Sequence, residues 1–302
     1  MTPESKDKGV EGDHSLSSAP IKILELILSI VSSQTMPHTS SLPRPNPWSV
    51  RAGNKFSNLR SSLSDFVPAV LAELPDPPQE NSTSPIPFFH LVERLKREKR
   101  EGWKRFGIKD GESIADHMYR MSIITMMAPP SLSSRLKIPH CTKMALIHDM
   151  AEALVGDLTP VDNVPKVEKN RREAETMDYV CESLLGKVHG GGNGASIRKI
   201  WQEYEDSETL ESHFVHDVDK VELILQMVEY ERAHETSLDL SEFSWVAKKI
   251  ILPEMKEWAQ EVLDERTRLW EGKGLTPKEP KEVKTLQEQQ NQYYGKSSGE
   301  AA

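Results

Sequence analysis

Apolar positions recur at helical spacing from Phe88 onward. Phe88, Phe89, Leu91, Val92 and Leu95 form the first such group, with three- and four-residue intervals that place them on one side of a helix. A second helix starts at Ser113, a residue suited to N-capping, with Asp116 three residues later as an imperfect capping box. It carries Ile114, His117, Met118, Met121, Ile124 and Met127 on overlapping faces before Pro129-Pro130 ends it. Pro139 opens a third helix that Gly156 closes, and Asp157 to Asn163 reads as a loop. Residues 165–186 have a charged first half and an apolar seam through Met177, Val180, Leu184 and Leu185. Gly190 to Gly194 reads as a flexible loop that lacks the context of a phosphate loop. Helices over 195–206 and 209–236 follow, the latter with Phe214, Val218, Val221, Leu225 and Val228 on one face. The last helix, near 242–270, contains Pro253 and is expected to kink or split there. No stretch alternates as a strand would. The expected fold class is all-α, a compact bundle of about six or seven helices.

The remaining sequence changes in character. Residues 1–84 are rich in Ser, Pro and Asn and are expected to form a largely disordered extension, with short helices at 21–31 and 62–73. Residues 85–271 are the expected folded domain, and 272–302 a polar disordered tail. The hydrophobic fraction of 37% and mean hydropathy of −0.55 agree with polar ends around a smaller core. A formal charge of −9 without a dense Lys/Arg face argues against a binder of nucleic acid polymers. Cys141 and Cys181 cannot build a disulfide framework, which favours a reducing compartment. The longest apolar run, 21–31, is too short and too charged to span a membrane. A cytoplasmic protein is expected, with the nucleus open. Residues 36–64 contain four basic residues and no acid, a composition a mitochondrial transit peptide permits, although a Ser/Pro-rich extension explains it more simply.

Three expected helices offer metal-ligand side chains. His148, Asp149 and Glu152 interrupt the apolar run from Met144 to Val155, with Glu152 on the side shared by the other two if the helix is regular. His117 lies among Met and Ile residues, and Asp219 lies one turn from apolar residues on both sides. Two imidazoles and two carboxylates would suit Mn, Fe, Co, Zn or Ni without choosing among them. Each residue also has a plainer reading. A histidine on an apolar helix face is more often a hydrogen-bonded core residue, and Asp217 and Asp219 could be solvated charges. His213 and His216 could form a rival half-site. Spacing alone balances the metal site against these readings.

The order His117, His148-Asp149, Asp219 on an all-α chain resembles the HD superfamily of metal-dependent phosphohydrolases, and within it the 5′-deoxynucleotidase branch. The resemblance rests on Gly102-Trp103, Glu112 to Met121, His148 to Pro160, Arg171-Arg172-Glu173 and Asp219 to Gln226, and covers about 86–265. Gly190 to Gly194 looks like an insertion. The resemblance implies that His117, His148, Asp149 and Asp219 hold a divalent cation, with Mn, Co or Mg the first candidates. It implies that Glu152 positions the attacking water and exchanges protons, and that Asp157 acts at the metal–substrate edge. Trp103 would pack against a deoxyribose. The family's bacterial pattern has an Arg directly before this Trp. Gly102 stands there instead, which leaves Arg100 or Arg105 for the phosphate, with Arg100 fitting the eukaryotic Arg-x-Gly-Trp form. The implied substrate is a deoxyribonucleoside 5′-monophosphate, and a homodimer fits both the family and the apolar helical surface. The rival functions are an HD phosphohydrolase acting on a triphosphate or cyclic nucleotide, and a non-catalytic nucleotide-sensing scaffold.

Overall fold

A computed structural model describes residues 66–159, 162 and 164–277. The expected short helix at 21–31 and the basic, acid-free stretch up to residue 64 lie outside the described residues, as does most of the C-terminal tail. Among the described residues there are twelve α-helices and no strand, only one isolated antiparallel bridge between Lys99 and Ser113. Seven of these helices reach eight residues, in line with the expected all-α bundle.

The short N-terminal helices are α1 (Phe66–Glu73), α2 (Ile86–Val92), α3 (Arg94–Arg97) and α4 (Glu101–Lys104). α1 falls within the stretch that composition assigns to the extension, yet Phe66 and Val67 are buried in the common core. The Val67 amide donates to Glu175 at 2.9 Å, and the Arg172 guanidinium lies over the Phe66 ring.

Next come α5 (Ile114–Met126), α6 (Pro130–Ser133), α7 (Ile138–Ala145) and α8 (Glu152–Val155). The start of α5 is fixed by a complete capping box. The Asp116 amide donates to Ser113 Oγ at 3.1 Å, and the Ser113 amide donates back to Asp116 Oδ2 at 2.8 Å. Asp116 has the shorter side chain, but it closes the same reciprocal pair that Glu closes elsewhere.

α9 (Lys166–Asp178) continues directly into a π-helical turn, Tyr179–Leu184, and a 3-10 turn, Val188–Gly191, leads to α10 (Gly192–Asp206). The expected flexible loop at Gly190 to Gly194 is therefore corrected: its second half is the first turn of α10. The reason is close packing. A Cβ on Gly194 would lie 2.4 Å from the Cys181 carbonyl oxygen, so glycine lets α10 cross the π-helical turn at a separation no other residue allows.

α11 (Leu210–Ala233) is the spine of the bundle, and α12 (Pro253–Glu271) closes it. α5, α7, α10 and α12 all pack on α11. Phe214, Ile224 and Met227 of α11 meet Met121, Met144, Met177 and Leu184 in the fully buried core. The expected split at Pro253 is present: a 3-10 segment, Ser241–Lys249, precedes α12, and Pro253 occupies its first turn. The Asp217 carboxylate accepts the Ile251 amide at 3.1 Å and the Leu252 amide at 2.8 Å, which fixes the entry to α12. Deeper along α11, buried Glu231 accepts from Arg266 Nε at 2.8 Å, Trp270 Nε1 at 2.7 Å and the Leu240 amide at 2.9 Å.

Candidate metal centre

His117 sits in the first turn of α5, directly after the capping Asp116, and Asp219 near the middle of α11. His148 and Asp149 do not come from a regular helix. The single helix expected from Pro139 to Val155 is two short ones, α7 and α8, joined by a tight turn over 146–151. Within it the Ile147 amide donates to Met144 O, Met150 to Ile147 O and Glu152 to Asp149 O, each three residues back, while the His148 amide still donates four back, to Met144 O. This tightened pattern turns successive side chains further apart than an α-helix does. The expected shared helical face of His148, Asp149 and Glu152 is thus replaced by a turn that sends His148 and Asp149 toward the cluster while Glu152 opens α8.

The ligand-type atoms of His117, His148 and Asp219 lie within 4.8 Å of one another. Asp149 Oδ2 is 3.3 Å from His148 Nε2 and 3.9 Å from His117 Nε2. The four side chains that the sequence separated by up to about a hundred residues are therefore together. Both imidazoles have their outer nitrogen engaged: His117 Nδ1 pairs with Glu222 Oε2 at 2.5 Å, and His148 Nδ1 with the Ala145 carbonyl at 2.9 Å. Donation from Nδ1 leaves each Nε2 as a lone pair directed at the cluster. His117 Nε2 is 3.2 Å from Asp219 Oδ1 yet makes no hydrogen bond to it or to any other described group, although it is fully buried. An orphaned buried nitrogen, a second imidazole of the same orientation and two carboxylates match the donor set of a divalent cation, with the outer partners that metal-bound histidines ordinarily have.

The charges say the same. Burial acts against ionising Asp149, but His148, Arg100 and His117 hold its carboxyl far below the usual range. Asp219 is likewise held low against burial, chiefly by His117. Burial and Arg100 oppose a charge on His117, but Glu222 and Asp219 outweigh them and push its pKa up to about 10. The point between these side chains demands positive charge, which a proton or a cation can satisfy.

Around the cluster the sequence-predicted residues divide. Arg100 is brought in: its Nη1 lies 3.1 Å from Asp149 Oδ2 and 3.6 Å from Asp157 Oδ1. The bridge at Lys99 and Ser113 puts it there. The Arg100 amide donates to Glu112 O at 3.1 Å and the Ile114 amide to Glu98 O at 3.0 Å, which ties the segment before α4 to the start of α5. Asp157 follows the positive-φ Gly156 and accepts the Glu101 amide at 2.6 Å, so it also faces this side. Arg105 points elsewhere, to a surface ion pair with Glu242. Trp103 is 1% exposed, packed against Phe243 and Tyr230, with its indole N–H donating to Glu112 at 2.8 Å. It is part of a buried aromatic cluster. The rival pair is not assembled: His213 Nε2 and His216 Nε2 each bind a backbone carbonyl, of Ser207 and Tyr204.

Glu152 is buried at the cluster's edge, and its Oε2 has no hydrogen-bond partner among the described residues. Burial, then the charges of Asp149 and Asp157, raise its pKa well above that of an ordinary glutamate, against Lys169 and Arg100. Lys169 Nζ lies 3.9 Å from Glu152 Oε1 and 3.4 Å from Glu173 Oε1. Sequence reasoning missed Lys169 and Glu222. Lys169 sits in a charged stretch without distinguishing signal. Glu222 carried one: three residues after Asp219, it shares that residue's side of α11. A broad surface cleft of about 860 Å³, lined by His140, Lys143 and Lys199 among others, contains none of the predicted site residues.

An HD-domain family model matches residues 92–259, a span that holds every side chain of this cluster. The chain is 44% identical to the 5′-deoxynucleotidase hdd1 of Schizosaccharomyces pombe, an alignment covering 63% of this chain and 93% of the relative. It is 40% identical to the 5′-deoxynucleotidase YBR242W of Saccharomyces cerevisiae, over 61% and 75% of the two chains. It is 37% identical to the human 5′-deoxynucleotidase HDDC2, over 60% and 86%. With the matched span, the helical architecture and the histidine–aspartate cluster in agreement, the chain belongs to the HD-domain family.

Proposed function

We propose that this chain is a divalent-metal-dependent 5′-deoxynucleotidase that converts deoxyribonucleoside 5′-monophosphates to deoxynucleosides and phosphate. The observation that carries the reading is the convergence of His117, His148 and Asp219, with Asp149 beside them, next to the partly buried cation Arg100. Relatives named 5′-deoxynucleotidase share 37–44% of their aligned residues with it. Phosphate-monoester hydrolysis has a very high uncatalysed barrier and is accelerated chiefly by positioning and charge neutralisation. A bound divalent ion supplies Lewis acidity, acidifying water and neutralising phosphate charge.

The chain's own residues supply the rest. Arg100 is the guanidinium within reach of the phosphate side, where Asp149 and Asp157 hold it. Glu152 is the carboxyl that orients the attacking water or exchanges its proton. Its raised pKa favours the protonated form, and a nearby cation favours ionisation, so it can serve in either direction. Asp157 borders the same space. Mn, Co or Mg is the proposed ion. A preference for deoxyribose is proposed to be modest, since excluding one hydroxyl by shape is worth on the order of a hundredfold.

The test is phosphate release from a panel of deoxy- and ribonucleoside monophosphates with Mn, Co or Mg, beside His148→Ala and Glu152→Ala. Activity on the deoxy substrates, lost in both variants, is expected. Release of pyrophosphate or tripolyphosphate from nucleoside triphosphates in place of this activity, or equal inertness of all three proteins, would overturn the reading.

A further inference from the structure

The two histidines of the cluster are held in unequal ways. His148 Nδ1 meets a neutral backbone carbonyl, whereas His117 Nδ1 meets a carboxylate. That carboxylate, Glu222, is fully buried. Its other oxygen, Oε1, accepts from Arg120 Nε at 2.7 Å and lies 2.6 Å from Arg120 Nη2 in the same ion pair. Arg120 is in turn held by Gln226 and Glu229, at 2.6 Å each, one and two turns further along α11. A buried ionised carboxylate needs both a counter-charge and filled hydrogen-bond positions. Glu222 has them only because one oxygen serves the guanidinium and the other serves the imidazole.

From this arrangement we propose that Glu222 is a positioning residue for the metal centre: with Arg120 as its anchor it locks His117 in the Nδ1–H form and so keeps Nε2 available as a ligand. The proposal rests on the reading of His117 as a metal ligand. It leads to a specific consequence for the isosteric change. A glutamine at 222 has one acceptor oxygen and one donor group, and faces two donors. Arg120, being charged, is the stronger claimant on the oxygen. The amide NH2 then faces His117 Nδ1, which must become an acceptor, and the imidazole proton moves to Nε2. A nitrogen that carries a proton cannot ligate. Removal of Arg120 as well frees the glutamine oxygen to turn to His117, with Gln226 one turn away to receive its NH2.

The experiment measures Co(II) affinity by calorimetry on the full chain, for wild type, Glu222→Gln and the double variant Glu222→Gln with Arg120→Met, with helical content checked by circular dichroism. Glu222→Gln is expected to lose roughly 10- to 100-fold in affinity, the usual cost of losing an outer partner of a ligating histidine, and the double variant to bind more tightly than the single one. The non-additive recovery is what a merely structural role would not give. A second readout needs no variant: the His117 Nδ1 proton, in a short bond to a carboxylate, gives a slowly exchanging downfield imidazole resonance in wild type. Unchanged Co(II) affinity in Glu222→Gln, a double variant weaker than the single, or a wild-type His117 protonated only at Nε2 overturns the proposal. A wild type that takes up no Co(II) fails at the metal site itself, whereas a wild type that binds while Glu222→Gln binds equally refutes only the role of Glu222.

Discussion

Arg100 lies three residues before Trp103 and Arg105 two residues after it, and the structure separates the two candidates by a measurable margin. Arg100 is partly buried against two site carboxylates, Asp149 at 3.1 Å and Asp157 at 3.6 Å. Arg105 pairs with Glu242 at the surface. A charge-assisted hydrogen bond lost from the phosphate costs about 1.5–3 kcal/mol, so Arg100→Ala should lower kcat/KM on dAMP by about tenfold to about 150-fold. Arg105→Ala removes an exposed pair worth about 0–1 kcal/mol of stability and should leave kcat/KM nearly unchanged. Stability gives an independent measure. Without the guanidinium, Asp149 and Asp157 keep partly buried negative charge with less compensation, a loss of up to about 3 kcal/mol, below the cost for a fully buried pair. In a domain of this size that lowers the melting temperature by up to roughly 10 °C. Because a divalent cation replaces part of the missing charge, the gap between wild type and Arg100→Ala should narrow when Mn is added. Steady-state phosphate release and thermal melts with and without Mn test both parts. Equal losses in the two variants, or a melting gap that Mn leaves unchanged, would refute the assignment.

Glu152→Gln keeps the volume of the side chain but not its proton exchange, and should lower kcat by about 10²- to 10⁴-fold with Co(II) uptake preserved; loss of metal binding instead would make Glu152 a ligand. Gly194→Ala forces a Cβ to 2.4 Å from the Cys181 carbonyl and 3.1 Å from Leu185 Cβ, and should destabilise the chain by about 1–3 kcal/mol in a denaturant titration; an unchanged midpoint would show that α10 can shift away. Burial, with Lys220 nearby, lowers the His216 pKa to about 3. The unfolded chain therefore takes up a proton below its ordinary value near 6.5 that the folded chain refuses, and stability falls as pH drops from there toward 3, by up to about 1.4 kcal/mol per pH unit. Glu112 and Glu173, both raised by burial to about 7, act in the opposite sense. The difference between wild type and His216→Phe isolates the histidine, and equal pH slopes in the two proteins would refute the account.

Local pattern made most of the helices legible because most are amphipathic. The face of α11 through Phe214, Val218 and Val221, the cap at Ser113 and the break at Pro253 are all contained in a few neighbouring residues. The turn over 146–151 was not legible, because Met144, Ile147, Met150 and Ala151 are apolar and suit a continuous helix as well as a tightened turn. Gly192 and Gly194 read as loop because glycine costs a helix about 1 kcal/mol relative to alanine; the crossing at Cys181, a tertiary fact, overrides that cost. The Arg-x-Gly-Trp form already favoured Arg100 over Arg105, but the placement of Arg100 beside Asp149 depends on the pairing of 98–100 with 112–114, which no local window contains. Glu222 was hidden for another reason. A glutamate three residues from an aspartate looks like a solvated pair until the partner helix is known to bring His117 against one and Arg120 against the other.

The break after α7 is a requirement of the site. Ala145 is the last residue of that helix, so its carbonyl is among those a helix end leaves without a partner inside the helix. His148 Nδ1 takes that carbonyl at 2.9 Å. The bond satisfies the helix end and orients the imidazole at once. It also places a donor ring at the negative end of the helix dipole, where positive charge is favoured. Had α7 continued through Asp149, the Asp149 amide would have competed for the same carbonyl, and His148 would have stood on a regular helical face with its ring free to turn. The tightened turn instead delivers His148 with its Nε2 directed at His117 and Asp219, and leaves the adjacent Asp149 beside Arg100. The consecutive His148 and Asp149 both face the proposed cation site because the chain stops being a regular α-helix where they occur.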